Sequence, residues 1–267
     1  MPATRVTPPP SPTTASGLRG FIESQRALSE DFDSLLPTHY SVDGHDDFMS
    51  SLIPRFLRSG ATVYEVGGGK HPSIDLATKR KLGLRVIGLD ISASELAAAP
   101  KGIYDDTIAG DICNIRGAGD GDLIICKGVL EHVKDAECAF AGLQSLLKPG
   151  GVALLFVPSR NAVFSRLNRL LPESFKRRIL FTIFPHKKTD SGFPAWYDRC
   201  TPRDFRELAR LNGMEVLDEH HYYRSSYFSF FFPLYLGWRF WVLAFHAVMG
   251  SQAAETFTMA LMRVPYP

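Results

Sequence analysis

The chain has 267 residues, 45% of them hydrophobic, and a net charge of +2 from 30 basic and 28 acidic side chains. That length buries a full core, the composition is that of an ordinary globular domain, and the charge balance gives no sign of a nucleic-acid partner. Cys113, Cys126, Cys138 and Cys200 are widely spaced with no CxxC pair, which reads as free thiols in a reducing cytosol rather than a disulfide framework.

In chain order, residues 1–17 hold five prolines and six Ser/Thr and predict a disordered tail without the apolar stretch of a secretory signal. Residues 18–58 predict an N-terminal helical segment, and 59–265 the main domain. The run Ala61-Thr62-Val63-Tyr64-Glu65-Val66 is β-branched or aromatic at most positions and stops at Gly67-Gly68-Gly69, a buried strand entering a tight loop. Bare glycine lets a ligand approach the main chain closely. Pro72 suits a first helical turn, so Ser73 to Leu82 predicts the following helix. A dinucleotide fingerprint would need another glycine three residues after the second. Pro72 stands there, and Glu65 would repel a pyrophosphate, so a cationic ligand fits better.

"LRVIGLDIS" (84–92) predicts a second strand ending in Asp90, a carboxylate placed to accept from ribose hydroxyls. "AGDICNI" (109–115) offers Asp111 after a third strand, and "GDLIICKGVLEHV" (121–133) contains a fourth. Asp135 opens a helix with Ala139, Phe140, Leu143, Leu146 and Leu147 on one face, ended by Lys148-Pro149-Gly150-Gly151. "VALLFVP" (152–158) is the fifth strand.

With these motifs in this order, residues 60–158 resemble the class I S-adenosylmethionine-dependent methyltransferases, in particular the group acting on small molecules and lipids. The resemblance rests on "VYEVGGGKHP", "VIGLDIS", "AGDICNI", "LIICKGVLEHV" and "LKPGG". It implies an α/β, Rossmann-like, doubly wound sheet of seven strands with an antiparallel last strand. It implies S-adenosylmethionine as cofactor, with Glu65, Gly67, Gly68 and Gly69 at its methionine end, Asp90 on the ribose, and Asp111 and Ile112 flanking the adenine. Ile91 and Lys127 belong to the same cofactor-binding set. The family's third glycine is His71 here, which changes the shape of the loop.

The same fold calls for a further helix and two strands, and "TPRDFRELARLNG" (201–213), "MEVLDEHHYY" (214–223) and "ETFTMALMRV" (255–264) supply them. Two stretches, 159–200 and 224–253, remain as cap insertions where this family elaborates its acceptor site. Between Ser159 and Lys188 eight basic residues face one acid, Glu173, among many apolar side chains. This is the composition of a helix on an anionic surface, or of a cap helix with a basic outer face. From Tyr222 to Phe245, 12 of 24 residues are aromatic. Ser225 to Trp238 gives only 14 residues before Arg239, and Pro233 and Gly237 interrupt the run, so a bent lid or a shallow interfacial hairpin fits better than a membrane span of about 20 residues.

His132, after strand four, is the candidate catalytic base if the acceptor must lose a proton. Its alternative is a structural hydrogen bond, and His220 and His221 on strand six are further candidates. Tyr197 lines the acceptor pocket or belongs to the core. Quinone O-methyltransferases that resemble this chain carry Glu-x-x-Glu-His here, and those acids can hold a divalent ion. Gly128 replaces the first carboxylate, so no metal is expected. The implied function is methyl transfer to an apolar or lipid-like acceptor of quinone, polyprenyl or polyketide type. The implied setting is the cytoplasm, with 159–188 and 222–245 as candidate membrane contacts. Two alternatives stay open: a soluble natural-product methyltransferase with an aromatic lid, and a non-catalytic protein that binds the cofactor and docks on membranes.

Overall fold

The computed structural model describes residues 12–170 and 193–265. Helix α1 (Pro12–Ser34) opens it, so residues 12–17 are helical rather than part of a tail, and residues 1–11 lie outside the described residues. Along α1 the residues withdrawn from solvent are Ile22, Gln25, Ser29, Phe32 and Asp33, which recur at helical spacing on one face. Short turns follow: α2 (Thr38–Ser41), then α3 (Gly44–Asp47), a π turn (Phe48–Leu52) and α4 (Ile53–Phe56). The last three run on continuously and bury Phe48, Leu52 and Ile53.

The sheet has seven strands in the order β3-β2-β1-β4-β5-β7-β6. They are β1 (Thr62–Val66), β2 (Arg85–Asp90), β3 (Asp106–Ala109), β4 (Gly121–Lys127), β5 (Leu147–Pro158), β6 (Met214–Tyr222) and β7 (Thr256–Arg263). The pairs among β1–β5 are parallel, and β7 runs antiparallel to both β5 and β6. Between them stand α5 (Leu76–Leu82), α6 (Ala93–Ala97), α7 (Ala136–Leu146), α8 (Val163–Leu170) and α9 (Pro202–Leu211). The central strands are buried on both faces. Val63, Leu123 and Ile125 meet Phe48, Leu52 and Ile53, whereas Tyr64, Ile124 and Cys126 share the opposite core with Phe140, Leu143 and Phe205. Chain order reverses direction between β1 and β4, and such a switch point opens a crevice at the carboxyl ends of the strands.

Three boundaries differ from expectation, each for a local reason. Helix α5 starts at Leu76, not near Ser73, because the N–H groups of Ser73 and Ile74 donate to Glu65, and Asp75 caps the helix through Thr78 N–H. Strand β5 starts at Leu147, which pairs with Gly121 ahead of the Pro149 to Gly151 turn. The aromatic stretch forms one continuous helix, α10 (Phe232–Met249), of 18 residues, so the expected bend at Pro233 and Gly237 is absent. Pro233 lies in its first turn, where a missing N–H costs nothing. The roughly 1 kcal/mol cost of Gly237 is outweighed by burial of Tyr235, Trp238 and Val242.

Helix α10 and the loop before it form a third apolar cluster with Tyr223, Ala253 and Ala254, against which Phe32 and Tyr40 pack. At its centre Arg239 is 0% exposed. Its Nε lies 3.0 Å from Asp33 Oδ1, and its terminal nitrogens donate to the carbonyls of Tyr223 (2.6 Å) and Tyr40 (2.9 Å). Tyr235 donates its hydroxyl to Asp33 Oδ2, and Arg224 Nε lies 2.9 Å from the same oxygen. The first helix is thus fastened to the cap by buried charge. Among the described residues no helix is long and apolar enough to cross a membrane.

Candidate functional site

The acids singled out in the sequence stand at successive strand ends. Glu65, on β1, is buried, and its Oε1 accepts from the N–H groups of Ser73 and Ile74, both at 2.9 Å. Burial pushes its carboxyl up to about 7 against the pull of those N–H groups and of Lys127. Glu65 therefore shapes the loop that follows it. Gly67 has φ 72°, and a Cβ there would collide with Val129. The carbonyl of Gly69 accepts from Tyr104 Oη at 3.0 Å, and Gly68 packs between Tyr104 and Glu65.

Asp90 closes β2 with its Oδ1 accepting from Ser92 N–H at 2.9 Å, while Oδ2 faces Gly69. Ile91, next to it, is 62% exposed. Asp111 caps a short turn by accepting from Cys113 N–H at 3.0 Å. Ile112 is buried against α7, where any side chain on Gly142 would strike the Ile112 carbonyl. Lys127 ends β4 with Nζ 3.7 Å from Met49 Sδ, and burial lowers its pKa. It lines a cleft of about 440 Å³ with Lys70, His71, Pro72 and Ile74. The structure therefore brings Glu65, the glycines, Asp90 and Lys127 to one edge, with Asp111 and Ile112 at the next turn.

His132 lies on the turn Leu130–His132 after β4. Its Nδ1 is 3.0 Å from the Pro194 carbonyl, which can only accept, so Nδ1 donates, and in the neutral ring Nε2 is the nitrogen with the lone pair. The ring makes the structural bond and still has a basic nitrogen. His220 and His221 are not part of this group: their Nε2 atoms pair with Asp218 and Glu219 on their own strand, at 3.0 and 2.6 Å.

Glu131 is the residue the sequence reading passed over as a site member. It is 7% exposed, its Oε2 has no hydrogen-bond partner, and Oε1 lies 3.7 Å from His132 Nε2. Its backbone carbonyl accepts from Trp196 and Tyr197 N–H, so the segment around Tyr197 folds over it. Tyr197 and Arg199 hold left-handed φ angles of 52° and 50° there. Burial pushes the Glu131 carboxyl up to about 8, which favours its neutral form. The one sequence signal was its place beside a candidate base in an apolar run. Tyr227, 42% exposed, stacks on Phe164 at 3.6 Å, and its hydroxyl is pushed up by desolvation, then by Tyr197, Glu131 and Glu255. Buried Tyr197 accepts from Asn168 at 3.4 Å.

The pH dependence of stability follows. A carboxyl whose folded pKa lies above its unfolded value binds more protons folded, so stability falls as pH rises from about 5 to about 8. Glu131, Glu65 and Glu255 all act in this direction. Glu131→Gln should flatten the upper part of that fall when thermal midpoints are measured across the range. An unchanged slope would remove Glu131 from the account.

Residues 43–227 match a family described as methyltransferase domain. The chain belongs to that family. The chain is 26% identical over 203 residues to the ubiquinone biosynthesis O-methyltransferase of Xanthomonas axonopodis pv. citri, covering 70% of this chain and 80% of the relative. It is 26% identical over 166 residues to the enzyme of that name from Cereibacter sphaeroides strain KD131, where it covers 60% of this chain and 62% of the relative. The fold is shared with Haemonchus contortus phosphoethanolamine N-methyltransferase 2 in complex with S-adenosyl-L-methionine. The TM-score there is 0.52 at 16% identity, over 90% of this chain and 56% of the other.

Proposed function

We propose that this chain transfers a methyl group from S-adenosylmethionine to an apolar or lipid-like small molecule of quinone, polyprenyl or polyketide type, taken up at a membrane surface. The observation that carries the reading is the buried Glu131 carboxyl after β4, whose Oε2 has no hydrogen-bond partner and whose Oε1 lies 3.7 Å from His132 Nε2.

The chain's own residues suit that cofactor. A bare glycine loop admits its backbone-facing end, Asp90 retains acceptor capacity for ribose hydroxyls, and Asp111 with Ile112 borders the adenine. Ile91 and Lys127 complete this set, with Glu65, Gly67, Gly68 and Gly69 at the methionine end. When bound, the cofactor supplies an electrophilic methyl on a sulfonium. For a hydroxyl acceptor, His132 Nε2 takes the proton while Glu131 donates a hydrogen bond that fixes the acceptor oxygen. Positioning contributes most of the acceleration, on the order of 7 to 11 kcal/mol in well-oriented cases.

Asp90→Ala is expected to weaken S-adenosylmethionine binding at least tenfold, since charge-assisted hydrogen bonds contribute about 1.5 to 3 kcal/mol each. Calorimetry on the folded variant decides it, and unchanged affinity would take Asp90 out of the site. Because Gly128 leaves Glu131 as the sole acid of that turn, turnover should persist in EDTA. Loss restored by magnesium would contradict this.

The membrane part rests on α10 and its surroundings. Phe231, Leu234, Phe240, Trp241, Val248 and Met249 are exposed on it, Leu167 and Leu170 are exposed on α8, and Arg166 lies 5.3 Å over the Phe245 ring. Exposed aromatics beside basic side chains favour shallow insertion at an anionic interface. Residues 171–188, most of the expected basic stretch, lie outside the described residues. Flotation with anionic vesicles at low salt should carry the protein upward, and high salt should release it. A protein that stays at the bottom throughout is the soluble enzyme with an aromatic lid, which the packing of Tyr235 and Trp238 in the cap also suits. Transfer of labelled methyl groups into a lipid extract tests the activity itself. No incorporation into any fraction would leave a cofactor-binding protein.

A further inference from the structure

A second feature lies away from the strand-end acids. The loop after β6 and the face of α1 enclose a cleft of about 300 Å³, lined by Arg26, Glu30, Arg224, Ser226, Ser229 and Tyr235 among others. Its charge is unbalanced. Asp33 is the one carboxylate that the structure pairs with both Arg224 and the fully buried Arg239. Arg26 makes no hydrogen bond or ion pair with any described residue. Glu30 is the only acid on the lining, exposed at the rim. On the lining itself two guanidiniums, Arg26 and Arg224, meet one carboxylate, Glu30, beside a concave, hydroxyl-bearing wall, with Arg224 also held by Asp33 behind it.

Guanidinium forks match the oxygens of a phosphate in pairs, and serine hydroxyls donate to the remainder. Position adds a second argument. Tyr227, directly after Ser226, stacks on Phe164 over the Glu131 side of the molecule, and α10 begins a few residues later with its exposed apolar face. An amphipathic molecule with its anionic end in the cleft would lie along the same loop that roofs the acceptor region. We propose that this cleft is a phosphate-binding subsite that takes a phosphate monoester or diphosphate, the anionic end of a phosphorylated acceptor. The word acceptor rests on the functional reading above, whereas the affinity for phosphate does not.

The test uses the full chain and needs no turnover. Inorganic pyrophosphate is titrated by calorimetry, and co-sedimentation is measured with phosphatidylcholine vesicles with and without phosphatidic acid. Binding of pyrophosphate that Arg26→Gln weakens at least tenfold supports the proposal and shows that a free phosphate group suffices. Binding confined to phosphatidic acid vesicles, and lost in the same variant, supports it with a lipid headgroup as the source. Arg26 is exposed on its helix, so this variant should keep the wild-type thermal midpoint and S-adenosylmethionine affinity. Arg224→Lys, which keeps the charge beside Asp33 but loses the fork, should also weaken binding. Equal binding by wild type and both variants, or no binding of either probe, overturns the subsite. Methyl transfer to a lipid extract is read separately, so either idea can fail without the other.

Discussion

Asp33→Ala should lower stability by about 3 to 5 kcal/mol, the usual consequence of leaving a buried charge without its partner. Arg239 cannot turn to water, being 0% exposed, and the carbonyls of Tyr223 and Tyr40 satisfy its N–H groups without neutralising it. The loss falls first on the cap, because α1 reaches the rest of the chain largely through α10. Denaturant unfolding gives the global figure, and hydrogen exchange along α1 gives the local one. Adding Arg239→Met should recover much of the loss, since an apolar replacement for both charges restores a packed interior. A single-variant loss under about 1 kcal/mol would show that the pair is not the fastening described.

His132→Ala should reduce kcat by about 10²- to 10⁴-fold for an acceptor that must shed a proton. The Pro194 carbonyl fixes Nδ1 as the protonated nitrogen, so the variant removes a base already held in one tautomer. S-adenosylmethionine affinity should not change, because His132 lies on the turn after β4 and the strand-end acids bear that task. A loss of less than about threefold, with the pH profile intact, would mean that the acceptor needs no base or finds another. Adding free imidazole to the variant gives an independent reading, since partial rescue reports a missing proton acceptor rather than a damaged fold.

The strands and their terminal acids were legible because each is a short apolar run stopped by glycine or by a capping acid, a pattern contained within a dozen residues. What escaped was decided by contacts outside each element's own run, some of them at long range. Glu131 becomes a buried acid only when the segment carrying Trp196 and Tyr197 folds back onto its carbonyl. The start of α5 moved because a strand carboxylate captured two N–H groups that a helix would otherwise have used. Pro233 read as a break because its meaning depends on where the helix begins, and that is set by packing of the cap. Arg239, which looked like a charge interrupting an apolar run, is the residue that turns one face of that run inward to Asp33.

The fastening of α1 to α10 also has a consequence for biosynthesis. Tyr235 and Asp33 are 202 residues apart in the chain, so at about 5 to 20 residues per second the first helix leaves the ribosome about 10 to 40 s before its partner. Strand β7, the last of the seven in chain order, lies between β5 and β6 and pairs with both, so β6 cannot join the sheet before β7 has been made. During that interval Asp33 and the face with Ile22 and Phe32 stand in water or against a chaperone. A nascent chain stopped before β7 would carry every strand-end acid and still leave β6 without the strand that joins it to the sheet.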